Sequence, residues 1–75
     1  MKTEFKNSNI LIKVNGENKF VPQSNSILKL LEILNINKSR VVIELNKNII
    51  NKNAYENILI NENDELEIVT FVGGG

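Results

Sequence analysis

The sequence predicts an α+β domain, a mixed sheet of four to five strands with one main helix packed across one face. Three patterns predict it. Alternating apolar residues near the start run into Asn15-Gly16; Ile27, Leu30, Leu31 and Leu34 recur at helical spacing; and residues 65–72 alternate again. A helix stripe and a sheet face each need an apolar partner, and this order of elements lets each cover the other.

Taken in order, Ile10, Ile12 and Val14 share one face of a strand over Asn9–Val14, with Asn9 and Lys13 on the other. Asn15-Gly16 then reads as a type I′ hairpin turn, which needs positive φ at both central positions. The return strand covers residues 17–21. Its register stays open, because Lys19-Phe20-Val21 puts apolar residues on both faces. Pro22 ends it for want of an amide.

Ser24 or Ser26 caps the helix, and the stripe Ile27, Leu30, Leu31, Leu34 spans about three turns. Leu28 and Ile33 widen that stripe, while Lys29 and Glu32 face water. Residues 35–38 are the exit loop. Over 40–46, Val41, Ile43 and Leu45 face one way and Val42, Glu44 and Asn46 the other. Residues 48–51 form a short strand or a bend. Residues 52–57 form one helical turn in which Tyr55 caps the core with its hydroxyl at the surface.

A polar turn, 61–64, leads to the last strand, 65–72, where Leu66, Ile68 and Thr70 alternate with Glu67, Val69 and Phe71. One domain is expected over 1–72, residues 1–8 being an extension of the first strand or a frayed arm. Residues 73–75 are expected to be a flexible tail.

The composition excludes much chemistry. The 75 residues include no cysteine, no histidine and no tryptophan, so disulfides, zinc sites and cysteine or histidine nucleophiles are ruled out. Nine basic residues balance nine acidic ones, which gives no general attraction to nucleic acid or to anionic membranes. The first 13 residues lack a signal-peptide core, and the apolar runs are far too short to span a membrane. A cytoplasmic protein is expected. The abundance of asparagine reads as codon bias with no function attached. Glu62, Asp64, Glu65 and Glu67 do not follow calcium-loop spacing and read as solvated turn charge. No acid–base pair stands out, so the chain is expected not to be an enzyme.

What remains is the end of the chain. Gly73-Gly74-Gly75 cannot stabilise a fold, since glycine loses the most backbone freedom on ordering and has no side chain to pack. The segment's chemical group is the Gly75 carboxylate, and a thin glycine strand suits entry into an enclosed active site. A frayed end or a cloning scar is the competing reading. On the last strand Val69 and Phe71 lie opposite Leu66 and Ile68. Val42 joins them if its strand is the neighbour, and with Val72 these residues form a candidate docking patch beside the tail. The competing reading is that they cover the edge of a thin core.

The ordered set Val14-Asn15-Gly16-Glu17, Ser26-Ile27-Leu28-Lys29-Leu30-Leu31, Val41-Val42-Ile43-Glu44-Leu45-Asn46 with Ile49-Ile50, and 63–68 through Phe71-Val72-Gly73-Gly74-Gly75 resembles the ThiS family. That resemblance covers residues 10–75. It implies a ubiquitin-like β-grasp fold and a sulfur carrier of thiamine biosynthesis. It further implies that a ThiF-type adenylyltransferase adenylates Gly75 with ATP. A cysteine desulfurase system then supplies persulfide sulfur to make a thiocarboxylate, and thiazole synthase ThiG takes the sulfur. Gly73 and Gly74 match the family's approach to the terminus, and the chain itself binds no cofactor. Residues 1–8 and the third glycine, Gly73, depart from the family pattern.

Three alternatives share the fold. A MoaD-type carrier serving molybdopterin synthase would share the chemistry too, but such tails usually carry a proline that Thr70-Phe71-Val72 lacks. A lysine-conjugated modifier would share the activation step only. From a different class comes an inert β-grasp binding module.

Overall fold

In a computed structural model, residues 9–71 are described. The expectations for residues 1–8 and for Val72 and the glycines 73–75 fall outside them. Within that range β1 (Asn9–Val14), β2 (Glu17–Pro22), β3 (Val41–Leu45), β4 (Asn48–Ile49) and β5 (Glu65–Thr70) form a five-stranded sheet ordered β2-β1-β5-β3-β4. The helix α1 (Ile27–Ile33) connects β2 to the other half of the sheet. β1 and β5 are parallel at the centre and all other pairings are antiparallel, so the mixed sheet is as expected.

The β1–β2 hairpin follows from its turn. Asn15 and Gly16 have φ of 53° and 84°, the left-handed pair that a two-residue hairpin requires. The turn fixes the register left open by the sequence: Val21 pairs with Ile10 and is buried, while Phe20 pairs with Leu11 and faces water, 73% exposed. Pro22 belongs to the strand as its last residue, opposite Asn9. β2 is an edge strand, so the missing amide costs nothing on its open side.

The helix is shorter than its apolar stripe suggests. It has seven residues, with Leu34 as C-cap. Asn35 at φ 61° ends it: Asn35 N–H donates to Glu32 O at 3.0 Å and Ile36 N–H to Leu31 O at 2.8 Å, the Schellman pattern. Ile33, expected to widen the buried stripe, is exposed.

So short a helix depends on its ends and its packing. Its first four amides are all satisfied. Ile27 N–H donates to Ile58 O, Leu28 N–H to Tyr55 O and Leu30 N–H to Ser26 O, and Lys29 N–H donates to the Ser26 hydroxyl at 3.1 Å. Ser26, not Ser24, is therefore the cap.

Ile27, Leu30 and Leu31 are buried completely against Ile12, Val14, Ile43, Leu66 and other inward residues of the sheet. A 3₁₀ turn, Lys38–Arg40, leads into β3. Asn46 and Lys47, both with positive φ, then reverse the chain into the two-residue β4. Another 3₁₀ turn, Lys52–Ala54, precedes Tyr55. Tyr55 lies deeper than the expected cap, only 2% exposed, and burial pushes its phenol pKa above the usual 10.0. Among the described residues no helix is long and apolar enough to cross a membrane.

Candidate functional site

The C-terminal end of β5 is where the sequence places the working end of the molecule, and β3 and β5 together shape it. Val42 lies directly across from Val69, and Glu44 from Glu67. Paired residues on adjacent strands project to the same side, and inward Ile43 and Ile68 between them are buried. Val42 and Val69 therefore stand on the sheet face opposite the helix.

Phe71 continues that side one step past the strand, held by a hydrogen bond from its N–H to Arg40 O at 2.9 Å. Val42, Val69 and Phe71 are 43%, 58% and 44% exposed. The condition set for Val42 is met: its strand is the neighbour. Val72, Gly73, Gly74 and Gly75, the other candidate residues, lie outside the described range.

Three contributors to this face escaped the sequence. Ile49, 71% exposed, pairs with Glu44 and so joins the same side. Its signal was Asn46-Lys47, a turn pair whose asparagine tolerates positive φ. The second is the like-charged pair Glu44 and Glu67, an arrangement that is unfavourable between strands unless something basic meets it.

The third is Asn15. Its side-chain amide donates from Nδ2 to Ile68 O at 3.1 Å and accepts at Oδ1 from Ile68 N–H at 2.7 Å. A side chain thereby replaces the strand partner that β1 no longer provides. No local pattern announces a contact between residues 53 apart.

The start of β5 is held in the same manner. Asn46 Oδ1 accepts from Glu65 N–H at 2.9 Å, and Asn46 Nδ2 donates to Asp64 Oδ1 at 3.0 Å. Asp64 also accepts from Asn61 N–H at 2.7 Å, and Glu62 accepts from Leu11 N–H at 3.1 Å. Part of the acidic group thus ties the turn together. Among the described residues no group of three or more metal-ligating side chains converges. A depression of about 590 Å³, lined by Asn9, Gln23, Ser24, Leu59 and Glu62 among others, is open and lies at the N-terminal end of β5, away from the candidate face. At the candidate site the described residues build a half-apolar platform that runs to the end of β5.

Known proteins agree with this geometry. Residues 9–75 match the model of the ThiS family. An uncharacterized protein of Porphyra purpurea, ycf40, is 38% identical over 69 residues, 92% of this chain and 97% of its own length. The sulfur carrier protein ThiS of Bacillus subtilis is 35% identical over 66 residues, 87% of this chain and all of its own length. A thiazole synthase of Paramagnetospirillum magneticum is 37% identical over 62 residues, 83% of this chain but 19% of the synthase.

Among solved structures, the thiamine biosynthesis protein ThiS of Geobacter metallireducens superposes with a TM-score of 0.77 at 28% identity, covering 88% of this chain and the whole of that one. The mixed sheet with its one helix is thus the β-grasp arrangement of a ThiS structure, and the chain belongs to the ThiS family.

Proposed function

We propose that this chain is a sulfur carrier of thiamine biosynthesis whose reactive group is the Gly75 carboxylate. It is a co-substrate acted on by other enzymes. In this reading a ThiF-type adenylyltransferase directs a Gly75 carboxylate oxygen to the α-phosphorus of ATP, and pyrophosphate leaves. The terminal sulfur of a persulfide, charged by a cysteine desulfurase system, displaces AMP from the acyl carbon. A thiol reduces the resulting acyl disulfide to the thiocarboxylate. Thiazole synthase ThiG then takes the sulfur. Gly73 and Gly74 let the terminus into these active sites, since without Cβ atoms the backbone fits a narrow channel. Val42, Val69, Phe71 and Val72 form the docking surface for the adenylyltransferase.

The observation that carries this reading is the extent of the family match, which runs through Gly75 in a chain without cysteine or histidine. The likeness to a Bacillus protein named as a sulfur carrier supports the chemistry. The occurrence of a similar segment within thiazole synthases supports ThiG as the acceptor.

The test is intact-mass measurement after incubation with a ThiF-type adenylyltransferase, ATP and a persulfide donor. One oxygen-to-sulfur exchange is expected in the wild type. None is expected after deletion of Gly75 or addition of one residue beyond it, although both variants fold. Conversion of either variant sinks the proposal.

A further inference from the structure

The two edges of β5 end at different places. β3 accompanies β5 from Leu45↔Leu66 to Val41↔Thr70, and one residue on Phe71 N–H still donates to Arg40 O. β1 accompanies it for two pairs only, Lys13↔Glu65 and Val14↔Leu66. Asn15 N–H then reaches Leu66 O at 2.8 Å, and the Asn15 side chain covers both backbone groups of Ile68. After that the hairpin turns away. Among the described residues no other strand joins β5 on this side.

The phase of the ladder decides which way Thr70 points. Opposed residues in an antiparallel pair alternate between exchanging both hydrogen bonds and exchanging none. Asn46 N–H donates to Glu65 O at 2.8 Å and Phe71 N–H to Arg40 O at 2.9 Å. Glu65, Glu67, Val69 and Phe71 therefore turn their backbone groups toward β3. Leu66, Ile68 and Thr70 turn theirs the other way. Asn15 meets the first two. Thr70 is next in the series, and its N–H and C=O face the side that β1 has already left.

We propose that this open stretch of edge is a docking site for an extended strand of the adenylyltransferase, which adds to β5 beyond Asn15 and exchanges main-chain hydrogen bonds with Thr70. This inference rests on Gly75 being the group that is adenylated. Gly75 is five residues past Thr70, within about 17 Å of extended chain. An enzyme enclosing that carboxylate must run alongside the base of the tail, where the edge is unpaired among the described residues. Strand addition draws affinity from the main chain, which suits recognition of a segment whose last three residues are glycines without side chains to read. It also sets the direction of the backbone entering the active site, lowering the ordering cost of binding.

Amide hydrogen exchange followed by NMR reads this directly. In the free chain the Thr70 amide is expected to exchange about tenfold or more faster than those of Val69 and Phe71, which bond to the β3 side. In the complex with a ThiF-type adenylyltransferase and a non-hydrolysable ATP analogue, it is expected to slow by about tenfold or more. Thr70→Pro removes the one main-chain donor that the described residues turn to this edge beyond Asn15, and none of the β3 ladder; it should lower kcat/KM for adenylation by about tenfold, the loss expected of one main-chain hydrogen bond left unmade.

Adenylation of the wild type with Thr70 still exchanging freely in the complex overturns the strand addition alone. So does a folded Thr70→Pro chain adenylated at the wild-type rate. If Thr70→Pro does not fold, the wild-type exchange measurement decides. Protection of Thr70 in the free chain that grows with concentration assigns the edge to a second copy and also overturns it. Absence of both binding and adenylation by the wild type overturns the functional reading, and this inference with it.

Discussion

Asparagine carries the chain through its tight places. Asn15, Asn35, Asn46 and Asn63 all adopt positive φ, which asparagine tolerates better than most residues that have a side chain. Asn37 and Asn51 cap the two 3₁₀ turns, each accepting at Oδ1 from an N–H two residues on, at 2.8 Å. The asparagine bias read from composition as codon usage is thus put to structural use. Asn15 does most, combining a turn conformation with two hydrogen bonds to Ile68. Asn15→Gly keeps the turn and loses both bonds, and is expected to cost about 1–3 kcal/mol in urea unfolding. A change below about 0.5 kcal/mol, the range of an ordinary surface substitution, would show that the side chain is incidental.

Among the elements, α1 shows how little helix this fold needs. Seven residues would not persist alone, yet every amide of the first turn has a partner, and two of those partners belong to the 55–58 segment. The exposed pair Lys29 and Glu32, 3.6 Å apart, adds little by comparison. Ser26→Ala removes the hydroxyl that accepts from Lys29 N–H and is expected to lower stability by about 1 kcal/mol, measured as a shift in the denaturation midpoint at unchanged slope. No shift would mean that packing against the sheet alone holds the helix start. The stripe through Leu34 promised a longer helix because periodicity says which residues turn inward, not where the backbone stops. Asn35 decides the stop, and a left-handed asparagine looks like any other in a sequence rich in them.

At the level of the domain, one sheet face buries the core and the other carries Val42, Ile49, Val69 and Phe71 with Glu44 and Glu67 among them. A partner matching this surface presents apolar contacts and positive charge together, and truncating a modest hot spot costs about 1–3 kcal/mol of binding. Phe71→Ala is expected to weaken adenylyltransferase binding by that amount in titration calorimetry, with little change in thermal midpoint because Phe71 is already 44% exposed. Equal dissociation constants would remove Phe71 from the interface. Unfolding of the variant would make it part of the core.

Local chemistry was enough to read the kinds of element, their order, the Asn15-Gly16 hairpin and the inward faces of β1, β3 and β5. Side-chain periodicity and turn preference act between residues a few positions apart, so the linear chain displays them. The register of β2, the stop of α1, the depth of Tyr55 and the grip of Asn15 on Ile68 emerged only on folding. The depth of Tyr55 and the grip of Asn15 depend on partners brought together from distant parts of the chain, whereas the register and the helix stop are local but open to more than one reading in the sequence. Whether an asparagine ends a helix, turns a hairpin or completes a strand depends on what folding places opposite its amide.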